Sequence, residues 1–169
     1  MSGQNSDSIL LFVMRHGEAE AARRDDKSRK LTEFGRSQAI ASSSWLHKYS
    51  RDGSIDMALV SPYQRTRQTF DMMTQSHKFG DVEVCDDIVP DGDIHLAHDY
   101  VDALLGHSRN KPRPIKSVLL VSHMPFVSYL MDELCQNQLT PLFATGSVAV
   151  IDYSLDSHKG TLLEHYQGR

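Results

Sequence analysis

Four side chains in this sequence combine types and positions that could handle an anion: Arg15, His16, Arg65 and His123. Each stands at the end of a short apolar run or one helical turn beyond it. Arg15-His16-Gly17 comes at the end of the run Ile9 to Met14, and His123 follows Val118-Leu119-Leu120-Val121 and Ser122. Arg65 comes after Met57 to Val60 and the pair Ser61-Pro62. A guanidinium offers a planar fork of donors that matches phosphate, and a neutral imidazole is a good nucleophile toward phosphorus. Two arginines and two imidazoles on one edge would suit a compact dianion, with phosphate the natural one. The competing reading is a histidine-ligated metal, but arginines in place of carboxylates would repel a divalent cation. No metal and no cofactor is expected.

Such a site needs a scaffold that brings the three segments to one edge. A short apolar run without polar alternation reads as a strand buried on both faces. In an open α/β sheet, ligands bind at the carboxyl ends of such strands. The segment Ala19 to Lys30 is charged and aperiodic, and reads as a loop beside the first strand. Thr32 is the expected N-cap of a helix whose buried stripe is Ala39, Ile40, Ser43, Leu46 and Tyr49, with Asp52-Gly53 as its stop. Ser61-Pro62 reads as a second helix start, with the serine hydroxyl as cap. Because helical side chains lean toward the N-terminus, Arg65 would reach back over the strand end. A third helix carries Ile94, Ala97, Val101, Leu104 and Leu105 up to Gly106, and a fourth carries Phe126, Val127, Leu130, Met131 and Leu134. Two strands around the Asp156-to-Gly160 turn close the chain. The alternation predicts an α/β three-layer sandwich, its sheet mainly parallel, helices on both faces and antiparallel pairing at one edge. Residues 1–8 read as a polar tail and 9–169 as a single domain.

At 169 residues the chain can bury a full core without disulfide or metal staples. A net charge of −4 gives no reason to expect nucleic acid or an anionic membrane as partner. Cys85 and Cys135 lie far apart and match no metal spacing, so reduced thiols are expected. No segment approaches membrane-spanning length, and a cytoplasmic monomer is the expectation.

Taken in order, the motifs are Arg15-His16-Gly17, Leu31-Thr32-x-x-Gly35, Ser61-Pro62-x-x-Arg65-x-x-Gln68-Thr69 and Ser122-His123-x-Pro125. Their order and spacing resemble the histidine phosphatase superfamily, with its phosphoglycerate mutase-like fold. Within it the chain is most similar to the short SixA-type phosphohistidine phosphatases. The resemblance implies that His16 becomes phosphorylated and that Arg15, Arg65 and His123 neutralise the phosphoryl oxygens. Gly17, Glu18 and Met124, next to these residues in the sequence, are further candidates for substrate binding.

One departure concerns the general acid. Many larger relatives carry a glutamate or aspartate after the third strand, whereas here the segment is Cys85 to Asp91 and Asp87 is the nearest candidate. Imidazole leaves more readily than an alkoxide, so a missing acid favours a phosphoramidate substrate. Short connections between the motifs suggest an open cleft. The expected substrate is therefore phosphohistidine on a signalling protein, such as a histidine-containing phosphotransfer domain, with phosphate as product. The alternatives are a small-molecule phosphomonoester phosphatase or mutase, and a non-catalytic phosphate-binding module. His95, His98 and Asp99 read as a solvated helix face, and His77 as a surface or loop residue.

Overall fold

The computed structural model describes residues 8–168; most of the expected polar tail lies outside them, and Ser8 already belongs to the first strand. The elements are β1 (Ser8–Arg15), α1 (Glu33–Leu46), β2 (Ser54–Val60), α2 (Gln64–Met73), β3 (Lys78–Val84), α3 (Ile94–Ser108), β4 (Ser117–Ser122), α4 (Phe126–Cys135), β5 (Val148–Ser154) and β6 (Lys159–Tyr166). They form one six-stranded sheet of order β3-β2-β4-β1-β5-β6. The first four of these run parallel, and β5 and β6 add antiparallel pairings to β1 and to each other. Among the described residues no helix is long and apolar enough to cross a membrane.

The pleat of the central strands explains the three layers. Along β1, Leu11 and Val13 face one cluster while Phe12 and Met14 face the other. Along β4, Val118 and Leu120 alternate in the same way with Leu119 and Val121. Such strands need a helix pair on each face, because both faces are apolar. Ala39 and Leu46 of α1 and Met73 of α2 close one side. Ala97, Val101 and Leu105 of α3, with Phe126, Leu130 and Leu134 of α4, close the other. Truncating a fully buried leucine such as Leu59 to alanine should cost roughly 2–5 kcal/mol.

Several element boundaries differ from the sequence reading. Thr32 does cap α1, accepting from Gly35 N at 3.0 Å, but Ile40 points outward and Ser42 takes a buried place. The helix also ends at Leu46, well before Asp52-Gly53, whose positive φ values instead form the turn into β2. α2 starts only at Gln64, so Ser61 does not cap it. The last turn of α3 runs past Gly106 to Ser108. A helix tolerates one interior glycine at about 1 kcal/mol, and Leu105 and Ser108 bury on either side of it.

Candidate active site

The order β2-β4-β1 puts three parallel strand ends side by side, and the backbone locks them in register. His16 N donates to Ser122 O at 3.0 Å, and Ser61 N donates to Val121 O at 3.1 Å. His16 O in turn accepts from Gly146 N at 2.8 Å, from the loop that enters β5. His16, Ser61 and His123 are thereby held on one sheet edge, the edge where such folds bind ligands.

Two glycines let helix α1 close against this edge. A Cβ on Gly17 would lie 2.3 Å from Gly35 O, and one on Gly35 would lie 2.0 Å from Glu18 O. The glycines of the Arg-His-Gly and Leu-Thr-x-x-Gly motifs therefore exist for each other. The threonine that ends the Arg65 motif joins them too: Thr69 Oγ1 accepts from Gly17 N at 3.0 Å and donates to Arg65 O at 2.8 Å.

His16 is almost wholly buried and its two nitrogens have different tasks. Nδ1 lies 2.6 Å from Gly17 O. A carbonyl can only accept, so Nδ1 carries the proton and Nε2 keeps the lone pair. Arg65 Nε–H donates toward that lone pair at 3.2 Å. Burial is the main force holding the ring neutral. The bond to Gly17 opposes it, the charges of Arg65, Arg15 and Arg29 add to it, and the result is a pKa pushed down to about 3. A neutral imidazole whose lone pair is aimed at the cationic cluster is the state a nucleophile requires.

His123 stands edge-on to His16 with ring centroids 5.3 Å apart, and edge-on to Tyr63 at 4.8 Å. Burial, then the neighbouring His16, Arg65, Arg15 and Arg29, lower its pKa to about 2. Its Nε2 lies 2.7 Å from Ser61 Oγ. Its Nδ1 is buried without a hydrogen-bond partner, as is Arg15 Nε, while Arg15 NH1 donates to Phe143 O at 2.7 Å. Unpaired buried donors are costly and rare. Two of them beside a buried nucleophile fit a ligand rich in acceptor oxygens.

The loop after β1 supplies residues that no sequence pattern could place. Asp26 opens a short 3-10 turn, Asp26–Ser28, and bridges two arginines. Arg65 NH2 meets its Oδ2 at 3.1 Å, Arg29 NH1 meets its Oδ1 at 2.9 Å, and Arg65 NH1 donates to its carbonyl at 2.8 Å. Burial pushes the carboxyl up, but the bonds from Arg29 and Arg65 outweigh it and hold Asp26 below the usual range. Arg29 thus joins the cationic cluster. Its only trace in the sequence was one arginine among several in a charged, aperiodic stretch.

Other expected site residues lie differently. Glu18 turns its carboxylate to Thr32 Oγ1, which donates at 2.8 Å, and is exposed. The thioether of Met124 accepts from Ser128 Oγ at 3.0 Å and packs against the core. Asp87 sits half-buried in a short turn, Asp86–Ile88, that Ser122 anchors by donating to Ile88 O at 2.6 Å. Among the described residues Asp87 has no side-chain hydrogen bond or ion pair with His16, Arg15, Arg65 or His123. His77 and His98, read as surface positions, are both buried.

Comparison with known proteins identifies the family. Residues 11–89 match the model of the histidine phosphatase superfamily (branch 1). The chain is 35% identical to the phosphohistidine phosphatase SixA homolog of Haemophilus influenzae, over 92% of this chain and 93% of that protein. It is 32% identical to phosphohistidine phosphatase SixA of Escherichia coli, over 90% of each. The solved structure of the protein histidine phosphatase SixA complexed with tungstate superposes with a TM-score of 0.83 at 31% identity, covering 94% of this chain and 97% of that one. Sheet, motif order and sequence kinship over nearly the whole length agree: the chain belongs to the histidine phosphatase superfamily, among its SixA-like members.

Proposed function

We propose that this protein hydrolyses phosphohistidine on a partner protein through a phosphoenzyme on His16. The observation that carries the reading is the tautomer of His16, whose Nε2 lone pair is exposed to the arginine cluster while Nδ1 is spent on Gly17. In the first step that lone pair attacks phosphorus in line with the P–N bond of the substrate. The N–P bond to His16 forms, the substrate bond breaks, and the departing imidazole takes a proton from water. Water then attacks phospho-His16, the His16 electron pair returns to Nε2, and phosphate leaves. Arg15, Arg65 and His123 offer donors to the phosphoryl oxygens in both steps, and electrostatic stabilisation of this kind is the main demand of phosphoryl transfer.

Support for a protein substrate comes from two sides. Relatives named phosphohistidine phosphatase match 90% and 92% of the chain, and tungstate, a tetrahedral oxyanion like phosphate, binds a protein histidine phosphatase of the same fold. Among the described residues no carboxylic acid is hydrogen-bonded into position for an alkoxide leaving group; the carboxyl of Asp26 is held below its usual range and Asp87 makes no side-chain bond to the cluster. The test is turnover of a phosphohistidine protein against a panel of aryl and alkyl phosphates, with rapid acid- and base-quench sampling. Activity should rank phosphohistidine above aryl and aryl above alkyl phosphate, with an acid-labile, base-stable phosphoenzyme that His16→Ala abolishes. Labelled His16→Ala protein, or an alkyl phosphatase activity that Asp87→Asn removes, would overturn the reading in favour of a metabolite phosphatase.

A further inference from the structure

His123 can serve a phosphoryl group only with an N–H, yet the ring is neutral in the site and has one proton for two nitrogens. Which nitrogen holds it decides whether the residue attracts or repels phosphate. Nε2 is engaged by Ser61 Oγ at 2.7 Å, leaving Nδ1, buried and unpartnered, as the only nitrogen free for a ligand. If Nδ1 carried the lone pair, a bound oxyanion there would face a second acceptor.

Ser61 is placed to settle the matter. Its side chain is fully buried, and its backbone is held at both ends: Ser61 N donates to Val121 O, and Ser61 O accepts from Thr66 Oγ1 at 2.8 Å. Among the described residues Ser61 Oγ has no hydrogen-bond partner other than His123. Were Nε2 the protonated nitrogen, Ser61 Oγ would accept that proton and its own hydroxyl hydrogen would be buried with nothing to receive it. With Nε2 as acceptor the hydroxyl is satisfied, and the ring proton moves to Nδ1. Without a ligand each tautomer leaves one buried donor unpaired, the hydroxyl or Nδ1–H; with an oxyanion at Nδ1 only the Nδ1–H tautomer pairs both, a preference of roughly 1–3 kcal/mol.

We propose that Ser61 is a positioning residue for the reaction read above: it donates to His123 Nε2 and so fixes the Nδ1–H tautomer that binds the phosphoryl oxygens. The same hydroxyl would otherwise read as a helix cap, a task it does not perform because α2 begins three residues later.

The experiment is nitrogen-15 NMR of the imidazole rings near pH 7, which separates protonated from unprotonated ring nitrogens without any turnover. In the unaltered protein saturated with inorganic phosphate His123 should show a protonated Nδ1 with a downfield Nδ1–H resonance and an unprotonated Nε2. Ser61→Ala should leave the ring as a mixture of tautomers. It should weaken phosphate binding and lower kcat/KM by about fivefold to tenfold, the factor carried by one buried hydrogen bond. Ser61→Thr, which keeps the hydroxyl, should restore the Nδ1–H signature. A protonated Nε2 in the phosphate-bound unaltered protein overturns the proposal, as does a Ser61→Ala protein with unchanged tautomer and unchanged phosphate affinity. If the tautomer and phosphate response are as described but phosphohistidine is not hydrolysed, the proposed function fails and this assignment stands.

Discussion

The molecule buries two histidine clusters on opposite terms. At the sheet edge, His16 and His123 share their space with Arg15, Arg65 and Arg29, and among the described residues Asp26 is the only carboxylate bonded to that cluster. Between α3, α4 and β5, His98 has carboxylates on both sides. Its Nδ1 meets Glu133 Oε2 at 2.9 Å, and its Nε2 lies 2.7 Å from the hydroxyl of Tyr153, which itself donates to Asp102. His158 Nδ1 adds a contact to Asp102 at 2.9 Å from the turn between β5 and β6. Every polar atom of His98 is partnered, whereas the first cluster leaves His123 Nδ1 and Arg15 Nε without partners. Full pairing is what a structural histidine shows; cations packed against cations with unpaired donors cost stability and are kept for a ligand. Burial alone, shared by both, tells nothing about function.

The largest effect that would test this contrast is at Arg65. If it clamps the phosphoryl group with its fork, Arg65→Lys should lose on the order of a hundredfold or more in kcat/KM, nearly as much as Arg65→Ala, because an ammonium cannot reproduce that geometry. Exposed Arg67, two residues along, should tolerate alanine. Equal tolerance at both positions would remove the arginine fork from the mechanism.

Next comes a contrast in consequences between the clusters. His98→Leu strips partners from Glu133 and from the Tyr153–Asp102 pair, and should lower unfolding stability by roughly 2–3 kcal/mol while turnover changes less than twofold. His123→Ala takes the partner of buried Ser61 Oγ and should also cost roughly 1–3 kcal/mol, but there turnover collapses. Chemical denaturation and steady-state rates on the two variants read both halves. Loss of turnover in His98→Leu at full stability would erase the distinction.

The acid side of the stability profile follows from the same imbalance. Burial lowers His16 to about 3, His123 to about 2 and His77, with help from His47, to about 4, each from an ordinary 6.5. Between those values the unfolded chain binds more protons than the folded one, so stability falls as pH falls. The loss begins near the unfolded value of 6.5, is complete for His77 at about 4, and continues for the other two down to their own values. Each group can contribute up to about 1.4 kcal/mol per pH unit. Urea midpoints between pH 7 and 5 should show the slope, and His16→Asn should flatten it by up to one proton. A profile level across that range would mean the rings are not held neutral.

The smallest effect is at Asp26. Its carboxylate occupies donors of Arg65 and Arg29 that phosphate would also use. Asp26→Asn should tighten inorganic phosphate a few-fold by calorimetry, with Asp25→Asn as a control on an exposed neighbour. Weaker binding in Asp26→Asn would show that the carboxylate orients the arginines more than it competes with the ligand.

Much of this protein was written locally. Buried strands announced themselves as apolar runs because both faces of β1 and β4 are covered, and Thr32 announced α1 because capping is a contact across three residues. Arg15, His16, Arg65 and His123 were legible because each sits at a fixed offset from such a boundary, and strand ends converge in any parallel sheet. Tertiary structure alone decided the rest. Ser61 has the local signature of a cap, and only the adjacency of β2 and β4 gives its hydroxyl to His123. His98 falls at a surface-like helical spacing, and only packing against Tyr153 and Glu133 buries it. Asp26 and Arg29 carry no periodic signal at all, since what selects them is the path of a loop across Arg65. Short-range physics marks where elements begin and end; which polar atoms are left to share a proton or a charge depends on neighbours dozens of residues away.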